Sequence, residues 1–167
     1  MKLEKEVKFL ELVRVLNRHK IRYLIIGRRA VILYGGPVLT ADHDIWLHPE
    51  DKKKVLSLLS EKLDFELSHP PDTKRPIVIG FSGTKKYDLL FQRSVKNTEN
   101  ETIEFEGCYG NSVLKEDKRA KVSFRIPSID DLIRLKKIRK SNVKDEQDIE
   151  YLLEAKLLSK KSKTRVT

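Results

Sequence analysis

The sequence predicts an α+β protein: helices and short strands alternate at the start, a run of strands follows, and helices return at the end. Three observations carry this reading. Apolar residues recur at helical spacing in the first eighteen positions, short apolar runs are bounded by glycine and proline, and two helix-cap signals sit near the C-terminal end. At 167 residues the chain has the size of one ordinary domain, large enough to bury a core without disulfides.

Leu3, Val7, Leu10, Val13 and Leu16 predict an amphipathic helix over residues 3 to about 18. Tyr23, Leu24, Ile25 and Ile26 form a short, fully apolar strand that stops at Gly27. A helix from Arg28 to about Tyr34 follows, ended by Gly35, Gly36 and Pro37. DHDIWL reads as a strand, and Pro49 with Glu50 and Asp51 opens a helix to about Lys62, because proline suits the first turn and acids suit the positive helix end. The polar, proline-rich SHPPDTKRP is a loop. IVIGF and KYDLLF form a hairpin around Ser82, Gly83 and Thr84. Strands are expected at TIEFE and KVSFRI, and EGCYG reads as a glycine-flanked turn. Ser128 with Asp131, and Asn142 with Asp145, then start two helices, the second running to about Leu158. Residues 1–158 form a single domain in this reading, and the basic tail 159–167 is expected to be disordered.

Composition narrows the function. No apolar run can span a bilayer and the charged start MKLEKEVKF lacks a signal peptide's apolar stretch, so a cytoplasmic protein without a membrane partner is expected. Cys108 is the only cysteine, which excludes an internal disulfide and a cysteine-rich zinc site. Lysine and arginine exceed aspartate and glutamate by 35 to 25, a charge of +10 that favours polyanionic partners such as RNA, DNA or nucleotides. A surface dense in both signs, with 36% charged residues, also suits a protein from a hot environment.

The chemistry concentrates in DHDIWL. Strand alternation puts Asp42 and Asp44 on one face, with His43, Ile45 and Leu47 on the other. Carboxylates held so close raise each other's pKa unless a cation neutralises them, and oxygen ligands of this kind suit Mg2+ or Mn2+. Asp88 in KYDLLF supplies a third carboxylate if its strand pairs beside DHDIWL, and three such groups can hold metal for in-line displacement at phosphorus. Asp-x-Asp alone is common at strand edges. Its position after a glycine-ended strand and a short helix is more telling, because a helix N-terminus is a seat for phosphate. His43 is expected to pack away from the carboxylates and His48 to cap or flank a helix; Trp46 shares the carboxylate face, where core or rim is its ordinary place.

These residues resemble the polymerase-beta-like nucleotidyltransferases, particularly the minimal enzymes and the toxin components of abortive-infection systems. In that group a strand leads to Gly-Gly or Gly-Ser, a short helix with alanine and a later glycine, then Thr-x-Asp-x-Asp. IIGRRAVILYGGPVLTADHDIWL supplies Gly27, Ala30, Gly35, Thr40, Asp42 and Asp44 in that order and spacing, and KYDLLF is similar to the third-carboxylate strand. Lys136, Lys144, Asp145 and Asp148 match a later lysine and a Lys-Asp-x-x-Asp element, so the likeness spans roughly residues 5 to 155. It implies a mixed β-sheet flanked by helices, with C-terminal helices, and transfer of a nucleoside monophosphate from a nucleoside triphosphate with loss of pyrophosphate. By the same resemblance Asp42, Asp44 and Asp88 are the metal-binding and catalytic residues, and Gly27, Arg28, Arg29, Thr40 and Lys136 the nucleotide or phosphate contacts.

Arg28 departs from the family's small second residue. Either arginine makes bidentate bonds to the phosphates, or it fills the anion seat and leaves a protein that binds without catalysing, or it pairs with a nearby carboxylate. Two function classes follow. One is a metal-dependent nucleotidyltransferase acting on an RNA, such as a tRNA end, or on a protein hydroxyl. The other is a silent nucleotide- or RNA-binding module, or one member of a toxin-antitoxin pair with a small helical partner. An aminoglycoside-modifying enzyme of this fold is less favoured, on the expectation that a drug pocket needs a second domain.

Overall fold

The computed structural model describes residues 6–139 and 142–164, with side chains as far as 161. Nine strands and six helices alternate among them: α1 (Phe9–Arg18), β1 (Tyr23–Ile26), α2 (Gly27–Leu33), β2 (His43–Leu47), a 3-10 turn at Pro49–Asp51, α3 (Lys52–Lys62), β3 (Glu66–Leu67), β4 (Ile77–Ser82) and β5 (Lys85–Leu90). They continue with β6 (Ser94–Lys96), β7 (Thr102–Glu104), α4 (Phe105–Gly110), β8 (Val113–Asp117), β9 (Val122–Ile126), α5 (Ile129–Ile138) and α6 (Val143–Thr164). The α+β class is as the sequence predicts.

Five strands form a mixed sheet in the order β1-β2-β5-β4-β3. Only β2 and β5 run parallel; the other neighbours are antiparallel. Strand alternation divides the apolar side chains between two faces. Tyr23, Ile25, Ile45, Leu47, Tyr87 and Leu89 join a large core with Leu12 and Leu16 of α1, Leu56 and Leu59 of α3, Ile126 of β9, Leu132 of α5 and Leu152 of α6. Leu24 and Trp46 point the other way, against Phe105 and Cys108 of α4 and Ile138 of α5. Burial of each of these large chains is worth about 1.5–3 kcal/mol.

The two C-terminal helices start as their caps require. Ser128 Oγ accepts the Asp131 N–H at 3.2 Å, and Asn142 Oδ1 accepts the Asp145 N–H at 2.9 Å while Asp145 Oδ2 accepts the Asn142 N–H at 3.4 Å. The β4–β5 hairpin turns through Gly83 and Thr84, with Ser82 paired to Lys85.

Several boundaries differ from expectation. Helix α1 begins at Phe9, and Leu3 lies outside the described residues. Val7 is buried in extended chain instead, because its N–H donates to Ser82 Oγ at 2.7 Å and its carbonyl accepts from Tyr87 Oη at 3.0 Å. The strand expected at TIEFE ends at Glu104, and EGCYG belongs to helix α4, where Phe105 and Cys108, three residues apart, are buried on one face. Strands β3, β6 and β8 are short or charged and carry no apolar alternation to announce them. Helix α6 continues through Thr164, so most of the expected disordered tail is helical: the segment is rich in lysine and lacks a Gly or Pro stop. Residues 165–167 lie outside the described residues.

Candidate active site

The site grows from the second face of the sheet, across three adjacent strands. Ile26 of β1 is register-paired with Asp44 of β2, and Asp44 with Asp88 of β5. The parallel β2–β5 pairing therefore sets two carboxylates side by side, the pairing on which the third acid depends in the sequence reading. Gly27 follows at φ +70, and a Cβ there would meet Asp44 Oδ2 at 2.6 Å. Only glycine serves here, both for its backbone and for the carboxylate lying against its Cα.

Asp42 is placed differently. It precedes β2, in an exposed bend where Thr40 Oγ1 accepts the Asp42 N–H at 3.1 Å. Strand alternation governs Asp44 and not Asp42, because the strand begins only at His43. Among the described residues no group of three carboxylate, imidazole or thiolate side chains stands close enough to hold a metal ion. The structure brings Asp44 and Asp88 together and leaves Asp42 in the adjoining exposed segment.

Electrostatics nevertheless tie the three together. Burial, a hydrogen bond shared with Asp88, and the charges of Asp88 and Asp42 push the Asp44 carboxyl up to about 6, against a smaller pull from Arg139. Lys86 Nζ lies 3.6 Å from Asp88 Oδ1 and is half exposed. Two residues before Asp88 on the same strand face, it is a site lysine that sequence reasoning passed over, although the spacing could have signalled it. The donor set fits a divalent cation: hard oxygens, adjacent, and only partly compensated.

Facing the carboxylates is a compensated network. Lys136 of α5 is buried; its Nζ donates to Asp148 Oδ2 at 2.9 Å and lies 3.8 Å from Asp145 Oδ1. Arg28 Nε sits 3.3 Å from Asp148 Oδ1, so among the three readings of Arg28 the structure displays the pairing with a nearby carboxylate. Arg139 Nη2 donates to Asp145 Oδ1 at 2.6 Å. Arg29 donates to the Thr40 carbonyl at 3.1 Å and stacks over Phe9, which ties α2 to the bend bearing Asp42. The structure thus brings Gly27 against Asp44, while Arg28, Arg29, Thr40 and Lys136 are engaged with protein groups.

The remaining candidates are structural. His43 is stacked between Phe9 and Tyr87, at 4.9 and 4.7 Å, and burial pushes its imidazole down to about 4. His48 Nδ1 accepts the Glu50 N–H at 3.1 Å, capping the 3-10 turn. Trp46 is fully buried, with Nε1 donating to the Gln92 carbonyl at 2.7 Å, and offers no face to a base. Burial pushes the Cys108 thiol up to about 12, which leaves it unreactive.

A cavity of about 330 Å³ opens between the carboxylates and α5. Its wall is formed by Ile26, Gly27, Asp44, Ile77, Asp88, Leu90, Val95, Leu132, Leu135, Lys136, Ile138 and Arg139.

The five-stranded mixed sheet, the glycine-led α2 and the register-paired aspartates make up a nucleotidyltransferase fold. No family model and no curated protein sequence matches the chain. Solved structures do. The chain is similar to lincosamide antibiotic adenylyltransferase LnuA bound to lincomycin, at TM-score 0.62 and 16% identity over 89% of this chain and 98% of that one. It is also similar to the antibiotic-resistance factor ANT(2'')-Ia, at 0.58 and 12% over 92% and 88%, and to a nucleotidyltransferase-like protein (TM1012) of Thermotoga maritima, at 0.56 and 13% over 92% and 89%. No helix among the described residues is long and apolar enough to cross a membrane.

Proposed function

We propose that the protein transfers a nucleoside monophosphate from a nucleoside triphosphate to an acceptor hydroxyl, releasing pyrophosphate. The observation that carries this is the Asp44–Asp88 pair, fixed side by side by strand register against Gly27 at the start of α2. Asp44 and Asp88, with Asp42 from the adjoining bend, would hold Mg2+ or Mn2+. Bound there, the cation would neutralise phosphate charge and lower the pKa of a coordinated hydroxyl. Asp88, at the edge of the cavity, accepts the proton of the acceptor hydroxyl. The main chain at Gly27 and Arg28 receives the phosphates, and Arg29 holds the Thr40 bend that presents Asp42.

The acceptor classes are an RNA such as a tRNA end, a protein hydroxyl, and, from the full-length similarity to antibiotic-modifying chains, a small molecule. Incubation with each labelled nucleoside triphosphate, Mg2+ or Mn2+ and acceptors of all three classes tests the reading. Label transfer no greater than that of Asp44→Asn would refute it.

A second reading is motivated by Arg28 and by the bend that holds Asp42 apart: a silent nucleotide- or RNA-binding module. It predicts nucleotide binding that survives loss of the aspartates, and a gain of activity in Arg28→Gly. Its toxin-pair form adds a small helical partner, for which α6 leaves Leu153, Leu157 and Leu158 exposed.

A further inference from the structure

Resting on the transferase reading, we infer that the acceptor is a small hydroxylated molecule with an apolar face and at most one charge, seated in the cavity between β5 and α5. The cavity's size suits a single small ligand and is at the lower end for such sites. Asp44 and Asp88 stand at one end of it, where transfer would occur.

The wall decides the class. Ile26, Leu90, Val95 and Leu135 are half-buried side chains turned into the cavity, and Ile77 is 46% exposed beside them. The cations on the wall are already paired: Lys136 with Asp148 and Asp145, Arg139 with Asp145. Neither offers an uncompensated charge to the phosphates of an RNA, which needs a cationic track. The carboxylates on the wall are Asp44 and Asp88, the pair that would hold the cation, so a polycation would find no further anion there to pair its ammonium groups. An apolar surface with internally neutralised charges, ending at two metal-binding carboxylates, binds an apolar ring or chain and presents its hydroxyl edge to Asp88.

The cavity has a built-in reporter. Trp46 is the only tryptophan, and it packs in the same cluster as Leu90, Val95, Leu135 and Ile138. Tryptophan fluorescence of the full chain is titrated with lincomycin and uridine, then with tobramycin and total RNA, alongside label transfer to each. Saturable changes are expected with at least one of the first two, and Ile77→Asp and Val95→Asp, both at solvent-reached positions, each raise Kd tenfold or more while circular dichroism stays native. Transfer to total RNA or tobramycin that neither variant alters overturns the inference and leaves the transferase reading intact. Absence of any response to lincomycin and uridine overturns it as well. Variant-sensitive binding with no transfer to any acceptor supports the cavity's chemistry and counts against the transferase reading.

Discussion

The two charged clusters that face each other across the cavity are built on opposite rules. Asp44 and Asp88 are like charges set together by strand register, and burial first, then the hydrogen bond and charge of Asp88, push the Asp44 carboxyl up to about 6. Lys136, Asp145, Asp148, Arg28 and Arg139 are opposite charges paired where α2, α5 and α6 meet, with Lys136 and the two acids buried and Arg139 reaching solvent. The first cluster carries like charge with only Lys86 close by; the second pairs each acid with a cation. The difference teaches which acids to assign to chemistry and which to architecture, although both occur as Asp-containing motifs.

The comparison breaks most sharply at Lys136. Lys136→Met leaves Asp148 and Asp145 buried with fewer counter-charges and should cost about 3–5 kcal/mol of stability, read as a lowered melting temperature. Asp44→Asn and Asp88→Asn should do the reverse. Each lowers label transfer by about 10²–10³-fold, yet raises the metal-free stability by on the order of 1 kcal/mol, read as a higher melting temperature, because a repulsion is removed. A fall in stability comparable to that of Lys136→Met would place the aspartates in the architecture.

Metal sharpens the same contrast. Saturating Mg2+ should stabilise the wild type by about 2–3 kcal/mol at a hundredfold excess over Kd, and EDTA should reverse it. Asp44→Asn should show no such gain, and Lys136→Met should keep it, measured as a shift in melting temperature.

The smallest effect is in acid. Burial pushes the Asp145 carboxyl up, but the Arg139 guanidinium, the Asn142 N–H and Lys136 outweigh it and hold it below the ordinary range. A depressed folded pKa gives stability that is present above the unfolded value near 4 and lost as pH falls through the folded one. Below about pH 4 the wild type should therefore lose stability that Arg139→Gln lacks from the outset. Equal acid slopes for the two would remove Arg139 from the joint. The groups facing Asp145 there are Arg139, Lys136 and the Asn142 main chain.

Much of the first half was legible because its signals are local. An apolar run ending at Gly27 makes β1, and Pro49 with two acids opens the turn into α3; neither depends on distant residues. Between residues 94 and 117 only the strand at Thr102–Glu104, within TIEFE, was legible. Ser94–Lys96 and Val113–Asp117 carry no alternation, and Phe105–Gly110 contains two glycines that read as a turn. Its helix exists because Phe105 and Cys108 meet Leu24 and Trp46 from the far side of the sheet. At the site, Asp44 and Gly27 followed from pattern and the spacing of Lys86 from Asp88 was there to be read, whereas Arg139 acquires meaning only beside the carboxylates.

The sequence by itself determined the element types of residues 9–62, the two C-terminal caps, and the pair of candidate strands that bear Asp44 and Asp88, because capping, apolar period and turn chemistry act within a few residues. Only the tertiary structure decided that those strands lie parallel with Asp44 opposite Asp88, that Asp42 falls outside the strand, and that Arg28 is drawn onto Asp148, 120 residues away. Register between distant strands and the partner of a long cation are set by packing and charge across the fold, which no local pattern encodes.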